Sequence, residues 1–231
     1  MRAKVKKTAA SPPIPHRLRE VAELDRYLLR LQVSTRVRGT NWRKRGMTDA
    51  ADISLALNAR VVETRAALKH EMEAYVVDVP VLWSAMGVMA VPLLDVLSVL
   101  TQLDPKRADS PAGFWRYCGL GVVHGYPDRV YSIIAPGQIT YSAAAYGAMT
   151  KLAYRLSMPA CRPYHAVYVA YRKRLLQAGV RENVTKARGR RYVAKLWLKH
   201  LWLVWRRLEG LPVGVPHEGD ETALAAPFGW R

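Results

Sequence analysis

The segment from Thr185 reads TKARGRRYVAKLWLKHLWLVWRRLEG, and its basic residues recur at a spacing that suits a polyanion. At 100° per residue, Arg188, Arg191, Lys195, Lys199 and Arg206 share one side of a helix, and the neighbouring Arg190 is grouped with them as a residue that can grip a backbone. Val193, Trp197, Leu201, Val204 and Leu208 share the other side. One face is therefore predicted to be core and the other a continuous basic stripe. Such a stripe can follow a phosphate backbone and displace its counterions, so its binding weakens with salt. Tyr192 lies beside the stripe, where a base can stack on it. The preceding helix adds Arg172, Lys173 and Arg174. The competing reading is a solvated helix face, but such faces mix signs to form i,i+4 pairs. Between residues 161 and 211 only Glu182 and Glu209 are acidic against 13 Lys and Arg, which favours binding.

A second basic cluster lies in RGTNWRKRG, at Arg38, Arg43, Lys44 and Arg45, and an N-terminal arm contributes Lys4, Lys6 and Lys7. The whole chain of 231 residues carries a formal charge of +18. Residues 1–46 are net +10 and residues 161–211 net +11, whereas residues 47–100 are net −4. Two basic poles flanking a slightly acidic middle point to nucleic acid as the partner, with an anionic membrane surface second. A stripe that reads phosphate does not distinguish DNA from RNA.

Catalytic patterns are missing. The sequence has no GxxxxGK, HExxH or GxSxG run, and its six histidines are scattered. Two-metal chemistry needs converging carboxylates. Asp95, Asp104 and Asp109 are the densest set, but they sit at predicted helix ends, where capping aspartates belong. The segment HEGDE, His217 to Glu221, reads as an exposed acidic tail. Cys118 and Cys161 lack metal-ligand spacing and fit a reducing cytosol. No catalytic residue, metal or cofactor is predicted.

The elements that position these residues are helical. Leu18, Val21, Leu24, Leu28 and Leu31 form an apolar stripe over Arg17 to Arg36. A glycine-marked break over Arg38 to Gly46 follows. A second long helix starts near Thr48 or Asp49 and runs to about Val77, with Ile53, Leu57, Val61, Thr64, Leu68, Met72 and Tyr75 on one face. Two long helices joined by a short turn predict an antiparallel pair, which can also pair with a second copy of the chain. Further helices are expected over Pro111 to Tyr117, Tyr141 to Ser157 and Pro163 to Gln177, the last closed by Gly179. The final long helix is expected to be capped by Thr185 and to end near Glu209. Residues 130–140 read as a strand pair or an irregular loop.

The twenty-residue run VLWSAMGVMAVPLLDVLSVL, Val81 to Leu100, has the length of a membrane span. Asp95, Pro92 and Gly87 argue against one, because they place a charge and two breaks inside it. The alternative is two short helices that turn at Gly87, with backbone N–H groups of the second available to a phosphate. A buried hairpin without a ligand fits the same residues.

Three segments in order resemble one family: VLWSAMGVMAVPLLDVLSVL, then FWRYCGLGVVHG from Phe114 to Gly125, then ARGRRYVAKLWLKHLWLVWRRLEG. They are similar to the C-terminal half of insertion-sequence transposases, recombinases with a RuvC-like N-terminal domain that are guided in some members by a bridge RNA. The resemblance implies a helix-hairpin-helix element, an "AGL"-type segment after it and long linking helices before it. No segment here resembles the RuvC-like domain, GVVHGYPDR lacks the family's Ser-Gly pair, and Met89 stands where the hairpin would have a second glycine. The resemblance therefore implies a non-catalytic nucleic-acid-binding protein, cytoplasmic and nucleoid- or nucleoprotein-associated. A recombinase subunit completed by a separate RuvC-like partner, and a structural component of a nucleoprotein assembly, are the alternatives. The expected fold is all-α: a basic arm over 1–16, a long helical hairpin over 17–79, a helix-hairpin-helix and helical bundle over 80–212, and an irregular tail over 213–231.

Overall fold

The computed structural model describes residues 16–76, 78–87, 91–123, 126–127 and 141–213. The basic arm, the HEGDE tail, Met89 and residues 130–140 lie outside them. The chain folds as two compact units, Pro13–Val79 and the part from Pro80 onward. Among the described residues the fold is all-α, with a single two-residue antiparallel pairing of Val122–Val123 with Tyr126–Pro127.

The first unit is a pair of 29-residue helices, α1 (His16–Lys44) and α2 (Thr48–Val76). The predicted break at Arg38 to Gly46 is overturned: α1 continues through it, and the turn is confined to residues 45–47. The reason is close packing at Gly39. A Cβ there would lie 2.8 Å from Leu55 Cγ and 3.3 Å from the Ala51 carbonyl oxygen. The glycine costs about 1 kcal/mol of helix propensity, and the approach of α2 offsets it.

The predicted apolar stripes form the seam between α1 and α2 only in part: Leu18, Val61 and Met72 are buried. Ile53 and Leu24 are 72% and 45% exposed. The seam steps by seven residues on each helix and mixes apolar residues with polar ones. Asp25 receives the Arg65 Nε at 2.7 Å, and Arg65 Nη1 donates to the Gln32 side chain at 2.7 Å. Asn58 donates to the Gln32 carbonyl at 2.6 Å, and Ser54 to the Thr35 carbonyl at 2.8 Å. Leu18 and Met72, one heptad beyond Asp25 and Arg65, are buried. Thus Leu18, Asp25, Gln32 and Gly39 match Met72, Arg65, Asn58 and Ala51 in antiparallel order.

The second unit begins with α3 (Pro80–Gly87) and α4 (Leu93–Leu100), eight residues each. Gly87 is the last residue of α3. No helix among the described residues is long and apolar enough to cross a membrane. Every residue of α4 is buried, including Asp95. Its carboxylate receives Lys151 Nζ at 2.6 Å and Arg155 Nε at 3.3 Å. A 3-10 turn follows at Pro105–Arg107, capped by Asp104, whose side chain accepts from the Lys106 N–H at 2.9 Å. Then come α5 (Pro111–Tyr117), α6 (Ala143–Leu156), α7 (Arg162–Gln177) and α8 (Glu182–Leu208).

α8 starts before the predicted cap. Thr185 is buried within its first turn, where its hydroxyl donates to the Glu182 carbonyl at 2.7 Å. The helix then runs through the middle of the unit, with α5, α6 and α7 packed on it. Trp197 is fully buried, and Phe114 meets Trp205 edge to face at 6.4 Å. Gly189 sets the approach of α7, since a Cβ there would lie 2.8 Å from Tyr168 Cε2. Deeper along the same contact, Tyr164 Oη and His200 Nδ1 are 2.7 Å apart.

Burial, and then the neighbouring Lys199 charge, push the His200 pKa down to about 4 from its ordinary 6.5. The folded state therefore holds His200 neutral, and the unfolded chain binds its proton first. The resulting stability is present above pH 6.5 and is lost as pH falls towards 4, about 3 kcal/mol in all. Urea unfolding of the wild type and of His200→Gln across this window should show the variant losing much less stability on acidification.

Candidate nucleic-acid interface

The basic stripe predicted on α8 does not face solvent as a unit. Arg206 is only 5% exposed. Its guanidinium donates to the carbonyls of Pro105, Ala108 and Pro212, each at 2.9 Å. Arg191 donates to the carbonyls of Leu120, at 2.9 Å from Nη2, and Gly121. Lys195 lies over the Trp115 ring, 5.1 Å from its centroid, while Trp115 Nε1 donates to the Lys195 carbonyl at 3.0 Å. Arg190 is half-buried over Tyr154, its Cζ 4.9 Å from the ring centroid. Lys199 is half-buried beside His200. The connections on either side of α5 leave backbone carbonyls at Pro105, Ala108, Leu120 and Gly121 that need donors, and α8 supplies them from the face expected to meet phosphate.

Arg188 is exposed, as are Lys173 and Arg174 on α7. They lie near the end where α7 turns into α8. The turn also carries Arg181, the N-cap residue of α8, which is exposed. A helix start at Thr185, as the sequence suggests, leaves Arg181 in a loop, whereas the observed start at Glu182 makes it the N-cap. Glu182 is the acidic residue at this end. It accepts Lys186 Nζ at 2.7 Å and lies 3.6 Å from Arg172 Nη2. The hydrogen bond and charge of Lys186, with Arg172 adding, hold its carboxyl below the usual range. Among the described residues no carboxylate pairs with Lys173, Arg174, Arg181 or Arg188.

Aromatic rings are interleaved with these cations. Tyr171 and Tyr192 stack at 4.3 Å and 4° between planes, and the Arg174 Cζ lies 5.1 Å from the Tyr171 centroid. Arg172 lies over Tyr168 at 5.5 Å. In the first unit, Arg43 is paired with Asp52 at 2.7 Å, while Lys44 and Arg45 are exposed. Arg43 and Lys44 thus end a helix, where cations complement the dipole, and do not sit in an open turn.

Asp95 is bound to two cations and Asp104 caps a turn. No group of three or more His, Cys, Asp or Glu side chains able to hold a metal ion occurs among the described residues. Both cysteines are free and buried, and burial pushes the Cys118 thiol up to about 12. No protein-family model, curated protein or solved structure matches the chain.

The two classes of arginine make opposite predictions for stability. Arg191→Ala leaves two backbone carbonyls without their charged donor and should cost about 2–3 kcal/mol. Arg188→Ala should stay within about 0.5 kcal/mol of the wild type. Chemical denaturation of the two variants measures both.

Proposed function

We propose that the chain is a non-catalytic nucleic-acid-binding protein that holds phosphate backbone at the basic end of the α7–α8 hairpin. The observation that carries this is the absence, among the described residues, of a carboxylate partner for Lys173, Arg174, Arg181 and Arg188. All lie within about two helical turns of the α7–α8 connection, given 1.5 Å of rise per residue. Converging unpaired cations raise the local positive potential and attract a polyanion. The resemblance to the C-terminal half of insertion-sequence transposases supports the same reading. Arg191, Lys195 and Arg206, with contacts inside the fold, are assigned to the scaffold.

The test is fluorescence anisotropy with labelled DNA and RNA across a salt series. Binding should weaken linearly in log–log form. Alanine at Lys173, Arg181 and Arg188 together should reduce the slope by about two to three, one for each phosphate no longer neutralised. Affinity independent of salt overturns the proposal.

A second reading concerns assembly, and the exposed face of the α1–α2 pair favours it. Leu24, Leu57 and Tyr75 are 45%, 45% and 39% exposed. In antiparallel helices they fall on the same side of the seam, together with the half-buried Leu28, Leu31 and Leu68. A second copy of the chain, laid on this face, makes a four-helix arrangement. Light scattering should give a dimer for the wild type and a monomer for Leu24→Glu/Leu57→Glu, with helicity retained. A monomeric wild type at high micromolar concentration sinks the dimer.

A further inference from the structure

The Tyr171–Tyr192 stack sits among the cations just described. With one face against Tyr171 and 42% of the residue exposed, Tyr192 keeps open aromatic surface. Tyr171 lies beneath it with the Arg174 guanidinium 5.1 Å from its own centroid. The outer ring is therefore held in one orientation before any ligand arrives, so little rotamer freedom remains to be lost on binding. Arg188 precedes Tyr192 by four residues on α8, which puts it on the same helix face one turn away. It is exposed and has no carboxylate partner among the described residues. A cation and an open ring one turn apart match the alternation of phosphate and base along a strand.

We infer that this end of the α7–α8 hairpin prefers single-stranded nucleic acid, with an unpaired base stacked on Tyr192 and an adjacent phosphate on Arg188. The assignment rests on the phosphate-binding reading above and adds the form of the strand. A base within a duplex already has both faces covered by its neighbours, so Tyr192 gains nothing from duplex. An unpaired base extends the ladder Arg174–Tyr171–Tyr192 by one layer. Stacking of this kind tolerates any base, because every base has a π-face. The preference is thus for strandedness rather than sequence.

The experiment compares full-length wild type, Tyr192→Leu, Tyr192→Phe and Arg188→Ala. The probes are oligo-dT and oligo-U of about ten nucleotides, an abasic strand of the same length, and a duplex with hairpin-closed ends. The wild type should bind the base-bearing strands about tenfold more tightly than the abasic strand. Tyr192→Leu still covers Tyr171 and should erase that gain while leaving abasic and duplex affinities unchanged. Tyr192→Phe should keep the gain, and Arg188→Ala should weaken every probe. A gain on either oligo-dT or oligo-U supports the platform, and the larger of the two identifies the strand as DNA or RNA. Equal affinity of the wild type for base-bearing and abasic strands overturns the platform but leaves the phosphate reading standing. So does an equal weakening on every probe in Tyr192→Leu, which would make the ring part of the scaffold. Failure to bind any probe, abasic and duplex included, overturns both.

Discussion

The second unit depends on how its irregular connections satisfy their backbone carbonyls. On either side of the short α5, the connecting residues 101–110 and 118–121 have little regular structure, so several of their carbonyls lack intrahelical donors. One helix supplies them. From α8, Arg206 reaches Pro105 and Ala108, Trp202 Nε1 reaches Ala108 at 2.7 Å, and Arg191 reaches Leu120 and Gly121. Trp115 returns the contact by donating to the Lys195 carbonyl. Each of these bonds spans 70 residues of sequence or more. A guanidinium brings several donors in one planar group, which is why arginine rather than lysine occupies the two clamp positions. Buried and hydrogen-bonded in this way, Arg206 can reside in a core where an unpaired charge would be costly.

The α1–α2 pair solves a different problem. Two helices alone have one seam and cannot enclose a core. Their seam holds an ion pair, an amide contact and a glycine–alanine step where a coiled coil would hold leucines. Polar layers of this kind fix register, because a shift by one heptad leaves Asp25 without Arg65 and removes the room that Gly39 gives to Leu55. Their contribution to stability is smaller than apolar layers would give, since desolvating Asp25 and Arg65 offsets their attraction. Leu24, Leu28, Leu31, Leu57 and Leu68 lie on the adjacent face instead, so the polar register contacts and most of the exposed apolar surface are encoded on separate sides of the same helices.

That separation explains what was legible in the sequence. Helix positions follow from local signals: Pro111 at the start of α5, Pro163 in the first turn of α7 and Gly179 just after its end. Partner faces do not. An apolar stripe such as Leu24, Leu28 and Leu31 reports that a face avoids water, but not which element covers it. The seam at Asp25, Gln32 and Gly39 carries no apolar signature at all. Gly39 within RGTNWRKRG reads as a break until the nearness of Leu55 is known. Likewise, the periodicity of α8 places Arg191, Lys195 and Arg206 on one side, but a period cannot distinguish solvent from a neighbouring loop that needs donors. Four helices, α3, α5, α6 and α7, pack on α8, and the residues that meet its basic side, Pro105, Ala108, Trp115, Leu120 and Gly121, lie in and around the seven-residue α5.

Net charge must therefore be divided before it is turned into a partner. A cation whose donors are already satisfied by carbonyls cannot release a phosphate's counterion without first breaking those bonds. Arg191 and Arg206 add to the long-range field but not to the contact surface. On the proposed reading Lys173, Arg181 and Arg188 serve both, because no carboxylate among the described residues is bound to them. The distinction also bears on Arg174, which lies against Tyr171 and yet remains exposed. A cation over a ring keeps its outward donors, so it can order an aromatic ladder and still meet a phosphate. On the proposed reading the surface open to a strand is small: the last turns of α7, the first turns of α8 and the ring of Tyr192 between their charges. Its smallness favours contacts of different kinds at neighbouring positions over a long uniform stripe.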